Sequence, residues 1–111
     1  MDIVFKNSKF EKECNNHRLL EKKQGTDRAK RIRRRLDDLR AAVVLEDMRP
    51  LPGRCHELLH NYSGHLSLDL DHPYRLIFEP ADEPIPTKID GGIDWTKVTA
   101  VRIIGVEDTH E

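Results

Sequence analysis

Pro50-Leu51-Pro52-Gly53 cuts the chain into two parts that obey different periods, and no other stretch narrows the choice of fold so far. Each proline pushes the residue before it out of the helical region, and the glycine admits a turn. Upstream, Ala29, Ile32, Leu36, Leu39 and Val43 step by 3, 4, 3 and 4 residues, the one-sided stripe of an amphipathic helix. Downstream the period falls to two. Leu66, Leu68 and Leu70 alternate with His65, Ser67 and Asp69, Asp71-His72-Pro73 turns, and Tyr74-Arg75-Leu76-Ile77-Phe78 returns as the second arm of a hairpin.

Around these two anchors the remaining elements fall into order. Ile3-Val4-Phe5 reads as a short first strand, and Ser8-Lys9-Phe10-Glu11 has the spacing of a capping box, which predicts a helix from there. Phe10, Cys14 and His17 continue one face as far as Lys23-Gln24-Gly25, and Thr26 or Asp27 caps the next helix. With almost no linker between them, the two helices are expected to pack as an antiparallel hairpin. Residues 80–95, with Pro84, Pro86, Gly91 and Gly92, form a long loop that Trp95 packs onto the domain, and Val98 to Val106 is a final strand. The whole predicts an α+β fold over residues 1–111, a single domain in which an N-terminal helical hairpin packs on one face of a small, mainly antiparallel sheet. The opposite face is left to bind something.

Composition narrows the partners. The chain is 35% charged with a mean hydropathy of -0.68, yet its apolar residues are ordered in periods that disorder would not need. No long apolar run and no basic leader followed by one is present, so the expectation is a cytoplasmic protein without membrane contact. Cys14 and Cys55 are too few for a disulfide framework or a four-thiolate metal site and read as small core residues. Residues 1–54 carry 15 Lys and Arg against 9 Asp and Glu, a surplus of +6, while residues 55–111 carry 4 against 11, a surplus of -7. The run Lys30-Arg31-Ile32-Arg33-Arg34-Arg35 suits a phosphate backbone, an acidic partner surface, or simply a solvated helix face.

Cys55-His56-Glu57-Leu58-Leu59-His60 contains the string H-E-x-x-H, which on a long helix would put two imidazoles on one zinc ion. Between the Pro-Gly turn and Asn61-Tyr62-Ser63-Gly64 there is no room for that helix, and a strand is the better reading. In a strand the two imidazoles stand about 13 Å apart, at roughly 3.3 Å per residue, whereas zinc bonds histidine nitrogen at about 2.0–2.1 Å. No metal is therefore implied. The polar residues that such a sheet would display are His56, His60 or His65, Arg75, and the terminal Glu107-Asp108-Thr109-His110. Imidazole, guanidinium and carboxylate together suit phosphoryl chemistry, with proton transfer near neutrality and stabilisation of a charged oxyanion. For Arg75 the residues alone leave two uses open, an ion pair with Asp69 or Glu79 and a phosphate contact.

In this order, Leu51-Pro52-Gly53, His56, Gly64, Ser67-Leu68-Asp69, Tyr74-Arg75-Leu76-Ile77-Phe78 and Val106-Glu107-Asp108-Thr109-His110 resemble the RelE/ParE superfamily of bacterial toxins, nearest to its HigB branch, over nearly the full chain. The resemblance implies a RelE-like fold and a messenger-RNA endonuclease that acts on the ribosome. It also implies a cognate helix-turn-helix antitoxin as partner, and neither metal nor cofactor. By it, His56 matches the histidine after the L-P-G turn, Arg75 the arginine of the Y/W-R-L-I-F strand, and Asp108 and His110 the outer residues of a D-Y-H terminus, with Thr109 in the tyrosine place. His56 or His110 would move the proton, Arg75 would balance charge on the phosphorane, and Asp108 would orient an imidazole. Arg31, Arg34, Arg35, Arg54 and His60 are the expected RNA contacts, His60 standing near the place of a family lysine that is Leu59 here. The competing readings are a ParE-like toxin directed at DNA gyrase and an inactive relative that still binds an antitoxin.

Overall fold

The computed structural model describes residues 1–108. The elements run β1 (Asp2–Phe5), α1 (Ser8–Cys14), α2 (His17–Gln24), α3 (Thr26–Ala41), β2 (His56–Glu57), β3 (Leu66–Asp69), β4 (Tyr74–Pro80) and β5 (Ala100–Asp108), with 3₁₀ turns at Leu45–Met48 and His60–Tyr62. One five-stranded sheet has the order β1-β5-β4-β3-β2. β1 lies parallel to β5, and the other pairs are antiparallel. The α+β class and the helical layer on one sheet face are as the periods predict.

Local chemistry corrects the helix boundaries. The first helix is two, because Asn7 and Asn16 each turn a side-chain oxygen onto backbone amides. Asn7 Oδ1 accepts from Lys9 and Phe10 (2.8 and 3.1 Å) and Asn16 Oδ1 accepts from Leu19 (3.0 Å). Asn7, not Ser8, is thus the first cap, and His17 opens α2 in solvent rather than extending the face of Phe10. Gly25, at φ 83°, alone joins α2 to α3, so neither Thr26 nor Asp27 caps the third helix. α3 stops at Ala41, which leaves Val43 at 76% exposure and gives its inward place to Ala42. The N-terminal ammonium sits on the Leu39 and Arg40 carbonyls at 3.0 and 3.1 Å, where the helix dipole favours a cation.

Phe10, Leu20, Ala29, Ile32, Leu36 and Leu39 from the helices close over Leu66, Leu68, Leu76, Phe78, Val101 and Ile103 from the sheet to form one core. Cys55 belongs to this core and Cys14 packs at its margin; burial pushes both thiols up to about 12, so neither ionises near neutrality. The long loop is folded onto the domain as expected of Trp95. The indole is buried, its N–H donates to Glu57 Oε2 (2.9 Å), and the Arg49 guanidinium lies 4.0 Å from its ring centre.

The H-E-x-x-H segment is no helix. His56 and Glu57 are strand, Leu58 returns one hydrogen bond to the His65 carbonyl (2.9 Å), and His60 begins a 3₁₀ turn with φ 56°. The strand expected across the whole string therefore covers only its first two residues.

Candidate active site on the open sheet face

The register decides which side chains share the face away from the helices. Across β2, β3, β4 and β5, His56 pairs with Ser67, Ser67 with Ile77, and Ile77 with Gly105. The neighbouring row is Asp69, Arg75 and Glu107, and the row on the other side joins Glu79 to Arg102, with His65 on Glu79 at 3.3 Å. Directly paired residues lie on the same side and alternate residues on opposite sides. The inward rows contain Leu66, Phe78 and Ile103, so these three rows form the face away from the helices, in which Ser67 and Ile77 are themselves fully buried.

His56 owes its place to the Pro52-Gly53 turn. Arg35, reaching from α3 beneath the turn, donates from Nη1 to the Pro52 carbonyl and pairs with Asp38 at 3.2 Å. Gly53, at φ 105°, leaves little room for a side chain, since a Cβ would stand 3.1 Å from Arg35 Cδ and 3.2 Å from Leu68 Cδ2. Its carbonyl accepts from the Asp69 amide at 2.7 Å, which stitches the turn to β3. The chain then presents Arg54 to Asp69, with Nε on Oδ2 at 3.0 Å and Nη2 on Oδ1 at 3.4 Å.

Two residues later His56 Nδ1 lies 2.8 Å from the Arg54 carbonyl. A carbonyl only accepts, so Nδ1 carries the proton and Nε2 is the basic nitrogen. Arg75 meets the same Asp69 from the opposite strand, Nε to Oδ1 at 3.4 Å. One carboxylate therefore holds two guanidiniums, of which Arg54 is exposed and Arg75 nearly buried. They line a shallow pocket of about 90 Å³ together with His72, Pro73 and Tyr74. His56 is not in that pocket. It lies one row and two strands from Arg75, roughly 12 Å between Cα atoms by ordinary sheet spacings, on the same side.

The other expected site residues divide. Asp108 pairs with Tyr74, on the helix side of the sheet, so among the described residues the tail carboxylate that shares the open face with Arg75 is Glu107. His110 lies outside the described residues. Arg35 is 7% exposed and its guanidinium is committed to the turn, so it only lines the floor of the groove that Arg31 and Arg34 border. Arg31 and Arg34 are exposed on α3 beside a groove of about 140 Å³, which Lys30 and Asp27 also line, Asp27 bonding Arg31 at 3.2 Å. Arg28 is not available either, because it clasps Asp71 through two bonds of 2.9 and 3.0 Å and lies 3.7 Å over the Tyr74 ring. His60 is exposed in its 3₁₀ turn.

Three residues of this face were given no role from sequence, although Glu107 was named among its polar residues. Glu107 hides behind a β-bulge, where Ile103 and Gly105 face successive residues of β4 and the alternation of β5 reverses. Tyr62 sits in a stretch that reads as turn punctuation, yet its hydroxyl reaches across to Glu107 Oε1 at 3.1 Å. Ser67, in the His56 row, is fully buried with a hydroxyl that makes no hydrogen bond.

No protein-family model matches the sequence, and no curated protein matches it. Solved structures do. A chain of the YoeB-YefM complex from Staphylococcus aureus is 15% identical with a TM-score of 0.55, covering 100% of this chain and 98% of that one. The YoeB dimer from the same organism is 18% identical, also with a TM-score of 0.55 and the same coverage. A YoeB/ParE toxin from Agrobacterium tumefaciens is 10% identical with a TM-score of 0.59, covering 99% of this chain and 100% of that one. At such identities the likeness concerns architecture, and it shows that this chain has the fold of YoeB- and ParE-type toxins from end to end.

Proposed function

We propose that the chain is the toxin of a toxin–antitoxin pair, a RelE/ParE-superfamily member of the HigB branch that cuts messenger RNA on the ribosome and so stops translation. The observation that carries this reading is the pairing of a tautomer-fixed imidazole, His56, with a carboxylate-held guanidinium, Arg75, on one open sheet face. The fold shared with YoeB toxins, one of them in complex with YefM, supports the toxin class and an antitoxin partner.

The chemistry follows from the RNA itself. His56 Nε2 takes the proton of a 2'-hydroxyl, O2' bonds to the adjacent phosphorus, and the bond from phosphorus to O5' breaks. The products are a 2',3'-cyclic phosphate and a 5'-hydroxyl, the leaving oxygen receiving its proton from His110. Arg75 balances the charge that builds on the phosphorane oxygens, and Asp69 holds it and Arg54 at the edge of the pocket. No metal is needed, because the nucleophile belongs to the substrate. Arg31, Arg34 and Arg54 give the strand a cationic approach, whose affinity falls with salt as counterions are released.

The test is induction of the intact protein in bacteria, with transcripts and plasmid topology followed together. Growth arrest with cut messenger RNA, relieved by a small antitoxin encoded beside it, is the expected result. Arrest with relaxed or broken plasmid and intact transcripts would assign the chain to gyrase, a reading favoured by the similar structure described as a YoeB/ParE toxin. Tight antitoxin binding without arrest would mark an inactive relative.

A further inference from the structure

Six aromatic side chains occur in the sequence, and five of them are committed to the interior or to an arginine. Phe5 and Phe10 meet edge to face at 6.1 Å, and Phe78 is fully buried in the core. Tyr74 lies under Arg28 on the helix side of the sheet, and Trp95 is buried beneath Arg49. Tyr62 alone stands on the open face. It comes from the segment between β2 and β3, where the His65 amide and Nδ1 both donate to its carbonyl at 2.9 and 3.2 Å. From there its side chain crosses to β5, and the hydroxyl donates to Glu107. Glu107 is the direct ladder partner of Arg75.

The half-buried side chain therefore runs from the segment that follows the His56 strand to the row of Arg75. A phosphodiester served by both side chains brings a base on each flank into this area. An aromatic face is the sequence-tolerant way to hold such a base, since every base has a π-surface. The Glu107 bond fixes the ring before substrate arrives, so little side-chain freedom is lost on binding.

We infer that Tyr62 is a further substrate-contacting residue of this site, the platform on which a base flanking the cleaved phosphodiester stacks, with Glu107 as its positioning residue. The inference rests on the RNA-cleaving reading of the same face. Its physical content is that the ring matters and the hydroxyl only orients it.

The experiment measures binding of ribosomes programmed with a messenger carrying a single 2'-deoxy substitution at the cleavage site, which blocks the attack but leaves the bases. Wild type, Tyr62→Phe and Tyr62→Ala are compared, and a second messenger lacks the base next to that position. Tyr62→Ala is expected to weaken binding roughly 5- to 150-fold, the range of one base–aromatic stack. Tyr62→Phe should stay within about threefold, and on the messenger that lacks the stacked base the two variants should bind alike. Thermal melting of each variant separates this loss from misfolding, because a loss of RNA affinity in Tyr62→Ala at an unchanged melting temperature is not a folding effect. If wild type binds and Tyr62→Ala binds as well, or if Tyr62→Phe falls as far as Ala, the platform is overturned and the RNA reading stands. If wild type binds neither messenger, the RNA reading falls and takes the platform with it.

Discussion

Arg35 and Arg75 look alike by every local measure. Their side chains are 8% and 13% exposed, and each pairs with an aspartate, Asp38 at 3.2 Å and Asp69 at 3.4 Å. Their surroundings divide them. Arg35 lies between α3 and the Pro52-Gly53 turn, where its guanidinium satisfies a carbonyl of the chain itself. Arg75 stands on the sheet face that the helices leave uncovered, beside a second guanidinium and a pocket. Burial and pairing alone do not separate an arginine that braces a turn from one displayed on the open face; the side of the sheet does.

Substitution should pull the two apart. Arg75→Ala, and His56→Ala beside it, are expected to lower messenger cleavage by about 10²- to 10³-fold, the usual loss when a charge-stabilising donor or a general base is removed. Melting temperatures should move less than in Arg35→Ala, since His56 is only partly buried and Asp69 keeps Arg54 as a partner when Arg75 is lost. Arg35→Ala should do the reverse, destabilising the fold by about 3 kcal/mol in urea titration, because a buried cation leaves Asp38 and a carbonyl without their partner. Cleavage by the fraction that remains folded would be close to normal. An Arg35→Ala protein of full stability that does not cleave would erase the distinction.

Smaller changes sharpen it. Gly53→Ala forces a Cβ toward Arg35 and Leu68 at a positive φ, and should lose about 1–2 kcal/mol in the same titration. Smaller again is Arg28→Ala, at about 1 kcal/mol for a partly exposed pair with a ring contact. That increment depends on pH. Arg28 holds Asp71 below its ordinary value of 3.8, so the folded value lies under the unfolded one. The contribution is complete above about pH 4 and is lost as the pH falls through the folded value. Urea curves for wild type and Arg28→Ala should therefore differ at neutrality and converge in acid.

The fold was legible because its two periods are clean. Ala29 to Leu39 and Leu66 to Leu70 state their buried faces directly, and both are buried as stated. Breaks made by side chains were less so. Asn7 and Asn16 end one helix and start another by accepting amide protons, a local competition that apolar spacing does not record. The candidate site was half legible. That His56 and Arg75 share one face follows from strand parity, which holds across β2, β3 and β4. Asp108 was taken from the resemblance of the terminus, and strand parity could not have shown that Glu107 is the ladder partner of Arg75, since the bulge in β5 reverses parity after Ile103 and only Gly105 announces it. Arg35 was grouped with Arg31 and Arg34 because the arginines of Arg31-Ile32-Arg33-Arg34-Arg35 look alike in sequence, while neighbours such as Arg34 and Arg35 point about 100° apart on a helix. Tyr62 reaches its place through tertiary structure alone.

The central claim is that His56, with Nδ1 tied to the Arg54 carbonyl, draws a proton from the RNA's own 2'-hydroxyl. End-group analysis of the cut messenger, made in the presence of a chelator, tests it most directly. The expected fragments carry 5'-hydroxyls facing 2',3'-cyclic phosphates, form as fast as without chelator and are lost in His56→Ala. Fragments bearing 5'-phosphate and 3'-hydroxyl ends, or cyclic phosphates that persist in His56→Ala, would contradict it.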